Sequence, residues 1–220
     1  MKRVRLVVFD LDGTLIDSVT DIASAVNRML ARKARTVAPL PLDTVRAFVG
    51  NGARELVSRV LAQTGAQVPL DEALDAFLDE YRVGLLDATR PYPGVVEGLD
   101  SMRDRILAVL TNKPGDMSRT ILEGLGLAAR FLRIAGGGDF PGRKPDPAGL
   151  LMLLRETGVS AGEALMVGDS GVDVRTARNA GTRSAGVTYG LDPEGLAAAA
   201  PDMVVDSLAV LAGRLRAEEL

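Results

Sequence analysis

Two carboxylates, Asp10 and Asp12, stand one residue apart directly after the apolar run Leu6-Val7-Val8-Phe9. Charges that close repel each other unless a cation or a proton sits with them. An apolar run leading straight into acids therefore points to a place built for a metal ion. The plainer alternative is a helix cap or an Asx turn. Gly13 follows and turns the chain into a helical pattern. The sequence holds neither His nor Cys. That excludes disulfides, zinc–thiolate centres, a cysteine nucleophile and Ser-His-Asp triads. Enzyme chemistry here falls to carboxylates, Lys and a hard metal ion.

Other polar residues fall where other apolar runs stop. Ile106-Leu107-Ala108-Val109-Leu110 ends at Thr111, Asn112 and Lys113. A hydroxyl, an amide and backbone N–H groups there suit phosphate oxygens, against the plainer reading of a polar loop. Phe131-Leu132-Arg133-Ile134-Ala135 ends at Gly136, and Ala164-Leu165-Met166-Val167-Gly168 ends at Asp169. Asp173 lies one helical turn beyond Asp169 and is expected on the same side. Around Lys144, Asp146 has the pattern of a helix N-cap and Pro147 that of a first helical residue, while Arg143 is expected to face solvent. In open α/β sheets ligands bind beyond the carboxyl ends of the strands. That rule gathers Asp10, Thr111, Gly136 and Asp169 into one crevice.

The elements that must position these residues are strands alternating with helices. Helices are expected over 95–103, through Ile121 and Leu125, over 147–156 and up to Ala180, with strands through Val187 and at Met203-Val204-Val205. Such alternation predicts an α/β protein with a parallel sheet and helices on both faces. Residues 18–90 carry no strand-like run. Their apolar stripes have helical spacing: Ile22, Val26, Met29 and Leu30, then Leu56, Val57, Val60 and Leu61, then Leu74, Phe77, Leu78 and Tyr81. The expected organisation is a core of residues 1–17 and 91–220 with an all-helical insert of residues 18–90. A tight or irregular join is expected at Ser101-Met102-Arg103-Asp104-Arg105.

Asp10-Leu11-Asp12-Gly13-Thr14, Thr111-Asn112-Lys113, Lys144 and Gly168-Asp169-Ser170 with Asp173 resemble, in order, the four motifs of the haloacid dehalogenase superfamily. The match is to its phosphoglycolate phosphatase-like branch, to which Val49-Gly50-Asn51-Gly52-Ala53 and Lys144-Pro145-Asp146-Pro147 add. The resemblance implies a Rossmann-like core with an inserted helical cap. It implies Asp10 as a nucleophile forming an aspartyl-phosphate, and Asp12 as the acid and base that serves the leaving group and then water. It implies Thr111 and Lys144 on the phosphoryl oxygens, and Mg²⁺ bound by Asp10, the Asp12 carbonyl and Asp169, with Asp173 through water or behind the first ligands. Gly13 and Asn112 are the further substrate-binding candidates of the core. Gly50, Asn51 and Arg54 are those of the cap, with Arg46 and Tyr81 as further candidate contacts.

A small phosphorylated metabolite such as 2-phosphoglycolate is the expected substrate. A β-phosphoglucomutase-like isomerase, a pyrophosphatase and a phosphosugar phosphatase are the alternatives on the same scaffold. Thr14 after the glycine favours a phosphatase over a mutase, and Asp12 argues against dehalogenation. A formal net charge of −3 draws neither nucleic acid nor an anionic membrane. No apolar run nears the ~20 residues that span a bilayer. The basic start Met1-Lys2-Arg3-Val4-Arg5 meets Asp10 too soon for a signal peptide, so a cytoplasmic protein is expected, as monomer or homodimer.

Overall fold

A computed structural model describes residues 3–217, so Met1 and Lys2 of the basic start lie outside the described residues. The chain runs β1 (Leu6–Phe9), β2 (Ile16–Asp17), α1 (Val19–Lys33), α2 (Leu42–Arg46), α3 (Ala53–Thr64), α4 (Leu70–Val83) and β3 (Arg90–Pro91). It continues through α5 (Val95–Asp100), β4 (Ile106–Pro114), α6 (Gly115–Gly124), β5 (Arg133–Gly137), α7 (Ala148–Thr157), β6 (Ala164–Gly168) and α8 (Gly171–Ala180). The last elements are β7 (Arg183–Val187), α9 (Pro193–Ala199), β8 (Met203–Val205) and α10 (Leu208–Arg216).

Six strands form one sheet in the order β5-β4-β1-β6-β7-β8, every pair parallel. β1 sits inside, with Leu6 opposite both Ile106 and Ala164 and Phe9 opposite both Val109 and Val167. Side chains alternate across the pleat. Val7, Phe9, Leu107, Val109, Leu165 and Val167 therefore pack in one core, and Leu6, Val8, Ala108, Leu110 and Met166 in the other. Two covered faces explain why β1 is apolar at every position. No helix among the described residues is long and apolar enough to cross a membrane.

Helices α1 to α4 lie between β2 and β3, which pair antiparallel through Ile16 with Pro91 and Asp17 with Arg90. The helical stretch thus leaves and rejoins the sheet through a single short ribbon. Its return is tied down by Asp21 of α1. That buried carboxylate accepts from the Ala88 N–H (2.9 Å), the Thr89 N–H (2.8 Å) and the Thr89 hydroxyl (2.6 Å).

Several boundaries differ from expectation for local reasons. The fifth strand starts at Arg133 and runs into Gly136 and Gly137, because the β4–α6 backbone lies against it: a Cβ on Gly136 would sit 2.5 Å from the Gly115 Cα. β4 does not stop at Thr111 but continues to Pro114, with a shift of register between Leu110 and Pro114. Helix α7 starts at Ala148, one residue late, and Asp146 still accepts its N-terminal Ala148 N–H at 2.8 Å. The expected tight join after α5 is present. Met102 is buried, and the buried Arg105 guanidinium donates to the carbonyls of Val4 and Leu215.

Candidate active site

The carboxyl ends of β1, β4 and β6 are adjacent, so the sheet alone brings Asp10, Thr111 and Asp169 together. Asp10 extends β1 and donates its N–H to the Val167 carbonyl at 2.9 Å. Its carboxylate accepts the Leu11 N–H at 2.7 Å and pairs with Lys144 Nζ at 2.8 Å. Lys144 Nζ also donates to Asp173 Oδ1 at 2.6 Å. Asp173 is fixed in turn by Ser170, whose hydroxyl and N–H both reach Oδ2, a capping box that starts α8. Asp169 accepts the Thr14 hydroxyl at 3.2 Å and the Leu191 N–H at 2.6 Å.

Close packing is possible because glycines surround the acids. Gly13 has φ +85°, and a Cβ on it would lie 2.3 Å from Asp169 Oδ2. A Cβ on Gly190 would collide with Asp169 from the other side.

Asp10, Asp169 and Asp173 can each offer an oxygen, and these oxygens lie within 4.8 Å of one another. All three residues are buried. Burial is the largest influence on Asp10, with Asp173 adding to it and Lys144 opposing it, and its pKa is pushed up to about 6. Burial, then Asp173 and Asp10, push Asp169 up to about 8. One lysine does not neutralise three desolvated acids. An all-oxygen donor set with unbalanced negative charge fits a hard divalent cation.

Asp12 faces away from this cluster. The Ser18 hydroxyl donates to its Oδ1 at 2.5 Å, and Lys113 Nζ stands 3.0 and 3.1 Å from its two oxygens. Lys113 Nζ also donates to the Tyr81 hydroxyl of α4 at 2.5 Å. Burial acts to lower the Lys113 pKa, but Asp12 and Tyr81 together hold it above the ordinary lysine value. The same balance, with Asp10 and Asp173 as partners, raises Lys144. Both ammonium groups are charged at neutral pH.

A small cavity of about 40 Å³ opens over these groups. Its floor is Asp10, Asp12, Thr111, Asn112 and Lys113, and its roof is the apolar face of the inserted helices: Ile22, Leu56, Phe77, Leu78 and Tyr81.

The other expected residues divide. Thr111 is buried in the floor, its hydroxyl accepting the Lys113 N–H at 3.3 Å. Gly50 lines the cavity. Asn112 also lines it, but its amide is used on backbone: Oδ1 accepts the Lys144 N–H, and Nδ2 donates to the carbonyls of Lys144 and Gly50. It therefore holds the Lys144 loop and joins that loop to the helical insert. Asn51 lines a separate depression beside Arg46 and Arg59. Arg54 lies outside the cavity, paired with Asp71 at 2.6 Å and half exposed. Arg143 is exposed, as expected.

Lys113 was the main omission. A strand's period of two puts Thr111 and Lys113 on one side, a signal present in the sequence once β4 is extended. The Leu191 N–H had no such signal, since it comes from an irregular loop.

Sheet, carboxylate cluster and buried lysine together define a class, and the family of haloacid dehalogenase-like hydrolases matches residues 7–187. The chain belongs to that family. A phosphoglycolate phosphatase of Agrobacterium fabrum is 37% identical over 211 residues, which cover 94% of this chain and 90% of that one. One from Vibrio parahaemolyticus is 40% identical over 219 residues, covering 96% and 95%. The crystal structure of a predicted phosphoglycolate phosphatase from Haemophilus somnus superposes with a TM-score of 0.90 at 31% identity, covering 96% of this chain and 97% of that one. The protein is a phosphatase, acting on a small phosphorylated substrate.

Proposed function

We propose that the protein is a Mg²⁺-dependent phosphomonoester hydrolase that works through an aspartyl-phosphate on Asp10, with 2-phosphoglycolate as its substrate. The observation that carries this reading is the Asp10 carboxylate at the cavity floor, held by the Leu11 N–H and by Lys144 at 2.8 Å. The names of its relatives support the substrate.

An Asp10 oxygen attacks phosphorus, and the bond from phosphorus to the leaving oxygen breaks. Asp12 supplies a proton to the alkoxide. Water then attacks the phosphorus of the aspartyl-phosphate, Asp12 takes its proton, and inorganic phosphate leaves with Asp10 restored. Lys144 offsets the repulsion between nucleophile and phosphate, and the Thr111 hydroxyl serves a phosphoryl oxygen. Asp10, Asp169 and the Asp12 carbonyl would hold Mg²⁺, with Asp173 behind them. When bound, the ion supplies positive charge against the nucleophile and the phosphoryl oxygens.

Residues 18–90 act as a cap domain on a catalytic core of residues 1–17 and 91–220. The β2–β3 ribbon at the junction and the apolar roof of the cavity support this division. The roof residues Ile22, Leu56, Phe77 and Leu78 also weigh against a phosphosugar phosphatase or mutase, because they offer sugar hydroxyls no partner.

The test is phosphate release from 2-phosphoglycolate, pyrophosphate and phosphosugars, with Mg²⁺ or EDTA, in wild type and Asp10→Asn. A kcat/KM preference for 2-phosphoglycolate that vanishes with EDTA and in the variant is the expected result. Turnover that persists in Asp10→Asn overturns the mechanism.

A further inference from the structure

We infer that Lys113 and Tyr81 form the subsite for an anionic group on the leaving alkoxide, and so select carboxylate-bearing monoesters over hydroxylated ones. This rests on the phosphatase reaction proposed above. Among the described residues that line the cavity, Lys113 is the one cation. The cap arginines named as candidate contacts, Arg46 and Arg54, do not line the cavity.

Lys113 is only 5% exposed, and its side chain reaches the cavity from β4 between Asp12 and Tyr81. An ammonium there has lost its water and is strongly attracted to any anion admitted beside it. A lysine is a point charge with three rotatable donors. It can therefore give one hydrogen bond to a carboxylate and keep another on Asp12.

Tyr81 adds a second donor. Its oxygen accepts from Lys113, and among the described residues its own O–H has no acceptor. Burial raises the phenol pKa, so that proton stays in place. Around this pair the roof is hydrocarbon: Ile22, Leu56, Phe77 and Leu78 offer nothing to a hydroxyl. A hydroxyl can accept from the same two donors, but only a carboxylate meets the desolvated ammonium with an opposite charge and makes charge-assisted hydrogen bonds.

The test compares 2-phosphoglycolate with 2-hydroxyethyl phosphate, which replaces the carboxylate by CH₂OH at equal length. Wild type should favour 2-phosphoglycolate by at least ~100-fold in kcat/KM, on the scale of one desolvated polar group. In Lys113→Met that ratio should fall at least tenfold, in Tyr81→Phe severalfold, and in Lys113→Arg less than in Lys113→Met. An equal loss on both substrates in Lys113→Met overturns the inference and leaves Lys113 a positioning residue for Asp12. If Lys113→Met does not fold, Tyr81→Phe decides, and an unchanged ratio in it overturns the inference. Wild type that hydrolyses both esters equally removes the subsite and leaves the phosphatase standing. Wild type that hydrolyses neither removes the proposed function itself.

Discussion

Lys144 and Lys113 are both buried ammonium groups paired with acids of one crevice, yet they are held in different ways. Lys144 bridges Asp10 and Asp173, and its backbone is clamped by Asn112. Those partners come from strand ends and from the first turn of α8, and none comes from the inserted helices. Lys113 bridges Asp12 and Tyr81, and Tyr81 comes from α4 of the insert. The first set is complete without the inserted helices. The second is complete only while α4 rests against it. On the proposed reading, charge that serves the phosphoryl group is built into the sheet and α8, and charge that faces the leaving group is shared with the inserted helices.

The largest expected effect tests the sheet-bound half. Asp10→Asn should lower kcat by at least ~10³-fold, as loss of a nucleophile does. Lys144→Met comes next. It leaves Asp10 and Asp173 buried without their cation, which costs about 3–5 kcal/mol by analogy with broken buried pairs. Its thermal melt should therefore fall by several degrees, and Mg²⁺ should recover more of that loss than it adds to wild type. Equal Mg²⁺ shifts in the two proteins would show that Lys144 and the cation do not share the same carboxylates.

Asp21→Ala probes the insert where its last helix returns to the sheet. Two buried donors on Thr89 and a part-buried one on Ala88 lose their acceptor, so destabilisation of about 2–4 kcal/mol is expected in denaturant unfolding. A loss of that size with kcat on the remaining folded enzyme within twofold would separate anchoring from chemistry. Tyr81→Phe should be milder for stability, below ~1.5 kcal/mol, since the ring and its stacking on Phe77 (5.7 Å between centroids) remain. The smallest effect belongs to Arg54→Ala. Its ion pair with Asp71 is exposed, and kcat/KM should stay within twofold. A tenfold loss there would place the insert's selectivity on its surface, against the cavity geometry.

Much of this was legible in the sequence because strand ends announce themselves. Apolar runs that stop at Asp10, Thr111 and Asp169 are consequences of covering both sheet faces, so fold and floor of the site could be read together. Helices α9 and α10 were not foreseen, since alanine-rich and leucine-rich stretches near the end carry no functional punctuation. Side-chain pairing was the least legible level. That Arg54 meets Asp71, that Asn112 serves backbone, and that Lys113 joins Asp12 depend on how loops approach one another across 17 to 101 residues of sequence. Residue type says what each group can bond, and only packing decides which partner is near.

The β2–β3 ribbon has a consequence for how such a molecule can change. The helical stretch departs at Asp17 and returns at Arg90, and these two residues face each other as a strand pair. Its ends are therefore about one strand spacing apart, roughly 5 Å. Topologically the four helices are the loop of one very long hairpin. Such a loop can be exchanged with the register of the six parallel strands kept, provided the replacement again supplies what Gly50 gives to Asn112 and Tyr81 gives to Lys113.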